Sequence, residues 1–223
     1  MNLTSLLHPK FAVAALLAIG TIALPPSSAQ AKTYPVPSVY PLPTCWYLNF
    51  KHGIPKRIVV SVPGEKVPGA YWYLTYTVTN NTGKEQDYYP SFEMVSEDGK
   101  IHPSDHAIPL AVFNAIKKSE GNDLLVSANQ IGGPIHQGED QAKDGVAIWE
   151  EPMARMGNFS IYASGLNSES VVATDDAGAP LKNDKGEEMK LWKTLEMDFV
   201  IWGDEVKPGN DIVHAKPDKW IMR

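Results

Sequence analysis

Tyr71 to Asn80, YWYLTYTVTN, runs ten aromatic, β-branched and short polar residues straight into the polar turn Asn81-Thr82-Gly83-Lys84-Glu85. Trp72, Leu74, Tyr76 and Val78 fall on one face, and Tyr71, Tyr73, Thr75 and Thr77 on the other. A period of two over this length is the mark of a half-buried strand. The stretch is therefore expected to be a central β-strand, with the first set turned to the core.

Working outward, Trp46 to Lys51 and Arg57 to Pro63 (RIVVSVP) read as strands kept apart by Gly53 and Pro55. Tyr88 to Glu97 (YYPSFEMVSE) alternates again, with Phe92 and Met94 towards the core, and stops at the turn dipeptide Asp98-Gly99. Pro90 cannot donate a ladder hydrogen bond, so this strand is expected to start there or to lie at an edge. Strands resume at Gly145 to Trp149, at Phe159 to Leu166 and at Leu191 to Trp202, the last with Leu195, Met197, Phe199 and Ile201 on one face. Between Pro109 and Glu120 the period changes. Leu110, Phe113 and Ile116 are spaced by three, Lys117 and Lys118 sit in the last turn, and Gly121 stands at the C-cap position. This is the one helix expected, covering an open end or edge of a sandwich.

Two octads, Asp175 to Lys182 and Asn183 to Lys190, each place a turn glycine before an apolar-Lys pair. They predict two successive tight turns in a projecting hairpin. The fold class expected from all this is mainly β, an antiparallel immunoglobulin-like sandwich with one short inserted helix.

The chain opens with Lys10, the apolar run Phe11 to Leu24, Pro25-Pro26 and the triplet Ala29-Gln30-Ala31. That is the full pattern of a secretory signal peptide. The apolar run is shorter than the roughly 20 residues a spanning helix needs. Cleavage is expected between Ala31 and Lys32, giving a secreted or periplasmic product with no transmembrane segment. The expected organisation is a signal peptide at 1–31, a Pro-rich extended lead-in at 32–44 and a single β-sandwich domain at 45–223. Four prolines within Thr33 to Thr44 exclude helix from the lead-in. The net charge of −6 becomes −7 once Lys10 is removed, which argues against nucleic acid or an anionic membrane surface as partner. With Cys45 as the only cysteine, no internal disulfide forms and the core must suffice.

The run YWYLTYTVTNNTGKEQ, then FEMVSEDGK, IHQGEDQAKDGVAIWEEP and FSIYASGL, resembles the bacterial secreted immunoglobulin-like domains often called telokin-like, of unknown function. The likeness covers about residues 71 to 166 and rests on turn residues: Gly138-Glu139, Gly145, Trp149 and Pro152. The chain departs from that pattern at Gln137, in the helical insertion and in the hairpin after Val171. Such a resemblance implies a fold and no reaction, and it leaves function to the loops.

Candidate chemistry is sparse. His102-Pro103-Ser104-Asp105-His106 is the only local cluster among the five histidines beyond residue 31, and His102, Asp105 and His106 are weak candidates, since convergence of two imidazoles and a carboxylate is what a metal needs. Asp175, Asp176, Asp184, Glu187 and Glu188 do not follow the spacing of a calcium loop. No nucleophile elbow, zincin, Cys-x-x-Cys or phosphate-loop motif occurs. No cofactor, metal or catalytic residue is therefore expected. Tyr71, Tyr73, Trp192 and Trp202 could form an aromatic platform on an outer sheet face, although coverage by neighbouring elements is the commoner fate of such residues. A non-catalytic binding or structural module of the cell envelope, with an envelope protein or glycan as partner, is the function expected. A secreted hydrolase acting on glycan or peptide and a periplasmic metal-handling protein are the alternatives.

Overall fold

The computed structural model describes residues 35–153, 156–201 and 213–223; the signal segment, its Ala31/Lys32 cleavage site and Trp202 lie outside these. In chain order the first strands are β1 (Asn49–His52), β2 (Lys56–Val60), β3 (Gly69–Asn80), β4 (Gln86–Tyr88), β5 (Ser91–Ser96) and β6 (Ile101–Pro103). Two helices follow, α1 (Leu110–Glu120) and α2 (Ala128–Ile131). Then come β7 (Gly133–Ile135), β8 (Gly138–Glu150), β9 (Phe159–Ser164), β10 (Ser170–Val172), β11 (Lys190–Ile201), β12 (Val213–Ala215) and β13 (Lys219–Met222).

All the paired strands are antiparallel, in two large sheets and one small ribbon. In the four-stranded sheet β3 is central. β8 pairs along nearly its whole length, while β2 and β1 share the other edge, against Gly69–Tyr73 and Tyr76–Thr79. The seven-stranded sheet runs β10–β11–β9–β5–β6, with β12 and β13 also paired to β11. Trp72, Leu74, Tyr76 and Val78 of β3 meet Phe92, Met94, Phe159, Ile161, Met197 and Phe199 of the second sheet in one core, as the alternation predicts. Leu74 and Val78 are wholly buried, each worth about 1.5–3 kcal/mol of transfer free energy.

The other face of β3 is not half open. Tyr71 and Tyr73 lie buried with Val146 and Ile148 under Val112, Phe113 and Ile116 of α1, in a second core. The helix thus covers a sheet face, where an end or edge was expected, and the described residues form three layers. Phe113 and Ile116 are buried as expected, but Val112 completes the stripe in place of Leu110, which is 71% exposed. Gly121 closes it in the left-handed region at φ 62°, as its place after the lysines predicts.

β5 begins directly after Pro90, the first of the two placements expected, and is interior, flanked by β9 and β6. Two further expectations are corrected. The strand expected at Gly145–Trp149 is the end of a ladder that starts at Gly138; its first half, Glu139 to Asp144, is polar and carries no burial signal. The strand read at Trp46–Lys51 is laddered only from Asn49. The two octad turns do form. Ala173, Leu181 and Met189, eight residues apart, close a ring of three backbone hydrogen bonds of 2.8 Å each. Asp175 and Asn183 cap their turns in the same way, each side-chain oxygen accepting two backbone N–H groups.

Candidate groove on the open sheet face

α1 covers the outer face of the four-stranded sheet, and the outer face of the seven-stranded sheet carries a groove. Phe159, Ile161 and Ala163 of β9 point into the core, so Ser160, Tyr162 and Ser164 must point outwards. The same parity turns Ser91 and Glu93 of β5 and Trp192, Thr194 and Glu196 of β11 to this side. Of these, Ser91, Glu93, Tyr162, Ser164, Trp192 and Thr194 form the floor and one wall of a groove of about 630 Å³. Trp46, Asp87, Tyr89, Ile101 and Asn167 complete its sides. Trp192 is 46% exposed and Tyr89 69%.

The cations on this face are each paired with carboxylates. Glu93 and Tyr162 are cross-strand partners, as are Tyr162 and Glu196. Arg223 lies over the Tyr162 ring at 4.1 Å and its Nη2 donates to Glu93 at 2.7 Å. The Tyr162 hydroxyl donates to Glu196 at 3.1 Å, and its pKa is pushed up, first by burial and then by the Glu196 charge. Lys219 reaches both Glu196 and Asp198, which holds its ammonium above the ordinary value.

The walls are held from behind by a buried ion pair. Lys193 and Glu169 meet at 3.0 Å, with 6% and 4% of their side chains exposed. Glu169 also accepts from the Ser38 N–H and hydroxyl and from the Tyr47 hydroxyl. Against the cost of burial, these donors hold its carboxyl down at about 2. Asn167 links the pair to the groove wall: its amide donates to the Lys193 carbonyl and its Oδ1 accepts from the Glu169 N–H. Trp46 N–H donates to Ser168 Oγ. The Pro-rich lead-in is therefore pinned at Ser38, with Val36, Val39 and Tyr40 exposed.

The histidine loop does not converge. His102 Nε2 pairs with Ser96 Oγ at 3.0 Å, and His106 is exposed. Asp105, at φ 60°, donates its N–H to the Ile148 carbonyl at 2.7 Å. Its loop thus supplies a hydrogen bond that a further strand would make on the outer edge of β8. Among the described residues no three His, Cys, Asp or Glu side chains are grouped to hold a metal ion. Cys45 is half-buried and borders a separate cavity of about 420 Å³ with Pro41, Pro43 and Tyr47.

Of the aromatic residues singled out in the sequence, Tyr71 and Tyr73 are spent in the second core and Trp192 alone reaches the groove among the described residues. Tyr162 was legible from its parity opposite Phe159 and Ile161. Trp46, Tyr89 and Arg223 were not, since nothing local places residues more than a hundred positions apart on one floor. Comparison with protein-family models, curated proteins and solved structures gave no match. Among the described residues no helix is long and apolar enough to cross a membrane.

Proposed function

We propose that this chain is a secreted or periplasmic, non-catalytic binding module of the cell envelope. It takes an envelope component on the open face of its seven-stranded sheet. The observation that carries the reading is the groove of about 630 Å³, a size usual for ligand sites, on the sheet face opposite the helix layer. Its wall residues are fixed by a buried polar network, the support that a preorganised binding surface needs. Of the two carboxylates in its lining, Glu93 is engaged by Arg223.

The signal-peptide pattern at 1–31 supports export. An immunoglobulin-like assignment, and with it the telokin-like resemblance, is supported by strand order. β1/β2, β3 and β8 take the places of A, B and E, while β6, β5, β9 and β11 take those of C′, C, F and G.

Co-sedimentation of the purified chain, residues 32–223, with isolated cell envelopes tests the reading. The native chain is expected in the pellet and a Trp192→Ala/Tyr89→Ala variant in the supernatant. Equal pelleting of the two, or failure of the native chain to pellet, would overturn it.

A further inference from the structure

We propose that the ligand of this groove is a neutral glycan. The specification rests on the binding-module reading and adds the chemical class. Charge comes first. Among the described residues Arg223 is the only cation in the lining, and it is already neutralised by Glu93 at 2.7 Å and stacked on Tyr162. An anionic sugar would meet Asp87 and Glu93 with no cation left to receive it, on a chain of net charge −6. A carboxylate in that position is repelled at close range.

Backbone comes second. β9 is laddered to β5 on one side and to β11 on the other, so the floor has no unpaired strand edge at β9. A peptide cannot add there as a strand, the mode that gives extended peptides most of their affinity.

Side-chain chemistry then selects among uncharged ligands. A pyranose ring has an apolar C–H face and a rim of hydroxyls. The groove offers Trp192 and Tyr89 as exposed aromatic plates, with Ser91, Ser164 and Thr194 in the neighbouring cross-strand row of its lining. Thr194 Oγ1, itself buried, donates to the Trp192 carbonyl at 3.0 Å, and the exposed Ser91 hydroxyl is left to bond a sugar hydroxyl. A purely apolar ligand would strip water from these hydroxyls without replacing their hydrogen bonds, which is costly.

The test is calorimetric titration of residues 32–223 with neutral oligosaccharides of glucose, mannose, galactose and N-acetylglucosamine, set against polygalacturonate and a Pro-rich peptide. At least one neutral sugar series is expected to bind. Trp192→Ala should weaken it about tenfold or more, and Trp192→Phe should recover part of that loss. Glu93→Gln frees Arg223, and is expected to admit polygalacturonate that the native chain rejects. Lys118→Ala, on the helix layer, serves as the unaffected control, and thermal melting of each variant shows that it is folded.

Failure of every neutral sugar to bind, or binding indifferent to Trp192→Ala, overturns the proposal. If polygalacturonate or the peptide binds natively in a Trp192-dependent manner, the class is wrong while the groove reading stands. If neutral sugars bind through Trp192 but envelopes do not pellet the chain, the class stands and the envelope reading falls.

Discussion

Glu169 and Lys193 sit at the end of an accounting that every buried charge must satisfy. Glu169 is matched by four donors, and Lys193 also donates to the Ser38 carbonyl and lies 5.1 Å from the centre of the Tyr47 ring. Removing one partner strands the other in a dry site. Glu169→Gln is expected to cost about 3–5 kcal/mol in denaturant unfolding. It should also release the lead-in, seen as faster proteolytic clipping within residues 35–44. Two carboxyls shifted in opposite senses contribute to the pH dependence. Glu169 lies below its ordinary value, at about 2, so its stabilisation is complete above pH 4.5 and is lost as pH falls towards 2. Asp105 is pushed up to about 6, chiefly by burial, so the folded state holds its proton and gains stability as pH falls through 6. Thermal melting should therefore be highest between about pH 4.5 and 6. Asp105→Asn, which suits the left-handed backbone at φ 60°, should flatten the high-pH side of that optimum.

At the scale of elements, β3 was legible because alternation states which side chains share a face. Alternation does not say what covers the second face. Thr75 and Thr77 made that face look wet, whereas Tyr71 and Tyr73 are sealed by α1. The helix was legible from its lysines and Gly121, but where it docks was not. Ile116 is wholly buried at that contact. Ile116→Ala is expected to cost about 2–5 kcal/mol. Gly145 shows a constraint that pattern reading cannot weigh. It lies opposite Tyr76 in the ladder, and a β-carbon there would run into the Tyr76 ring and Ile131. Gly145→Ala should destabilise by about 1–3 kcal/mol through overpacking, read as a lowered denaturation midpoint at unchanged slope.

For the whole molecule, the two cores share β3 and β8, so they should melt together. Met94→Ala between the sheets and Ile116→Ala under the helix are expected to lower a single transition, coincident by circular dichroism and tryptophan fluorescence. Helix signal lost ahead of Trp149 fluorescence would show instead that α1 detaches alone. In an exporting cell, intact mass should report a chain that starts at Lys32, and a species keeping residues 1–31 would refute cleavage. The sequence by itself determined the mainly antiparallel β class, the inward face of the central strand, the position and C-cap of the longer helix and the two octad turns. Each is written in local period or turn chemistry, which act over a few residues. Only tertiary structure decided that α1 covers a sheet face, that β5 is interior and that the lead-in is locked by a pair 24 residues apart. It also decided the groove, because pairing Trp46, Tyr89, Trp192 and Arg223 on one surface depends on strand order and register, which are settled by packing between segments that carry no local mark of one another.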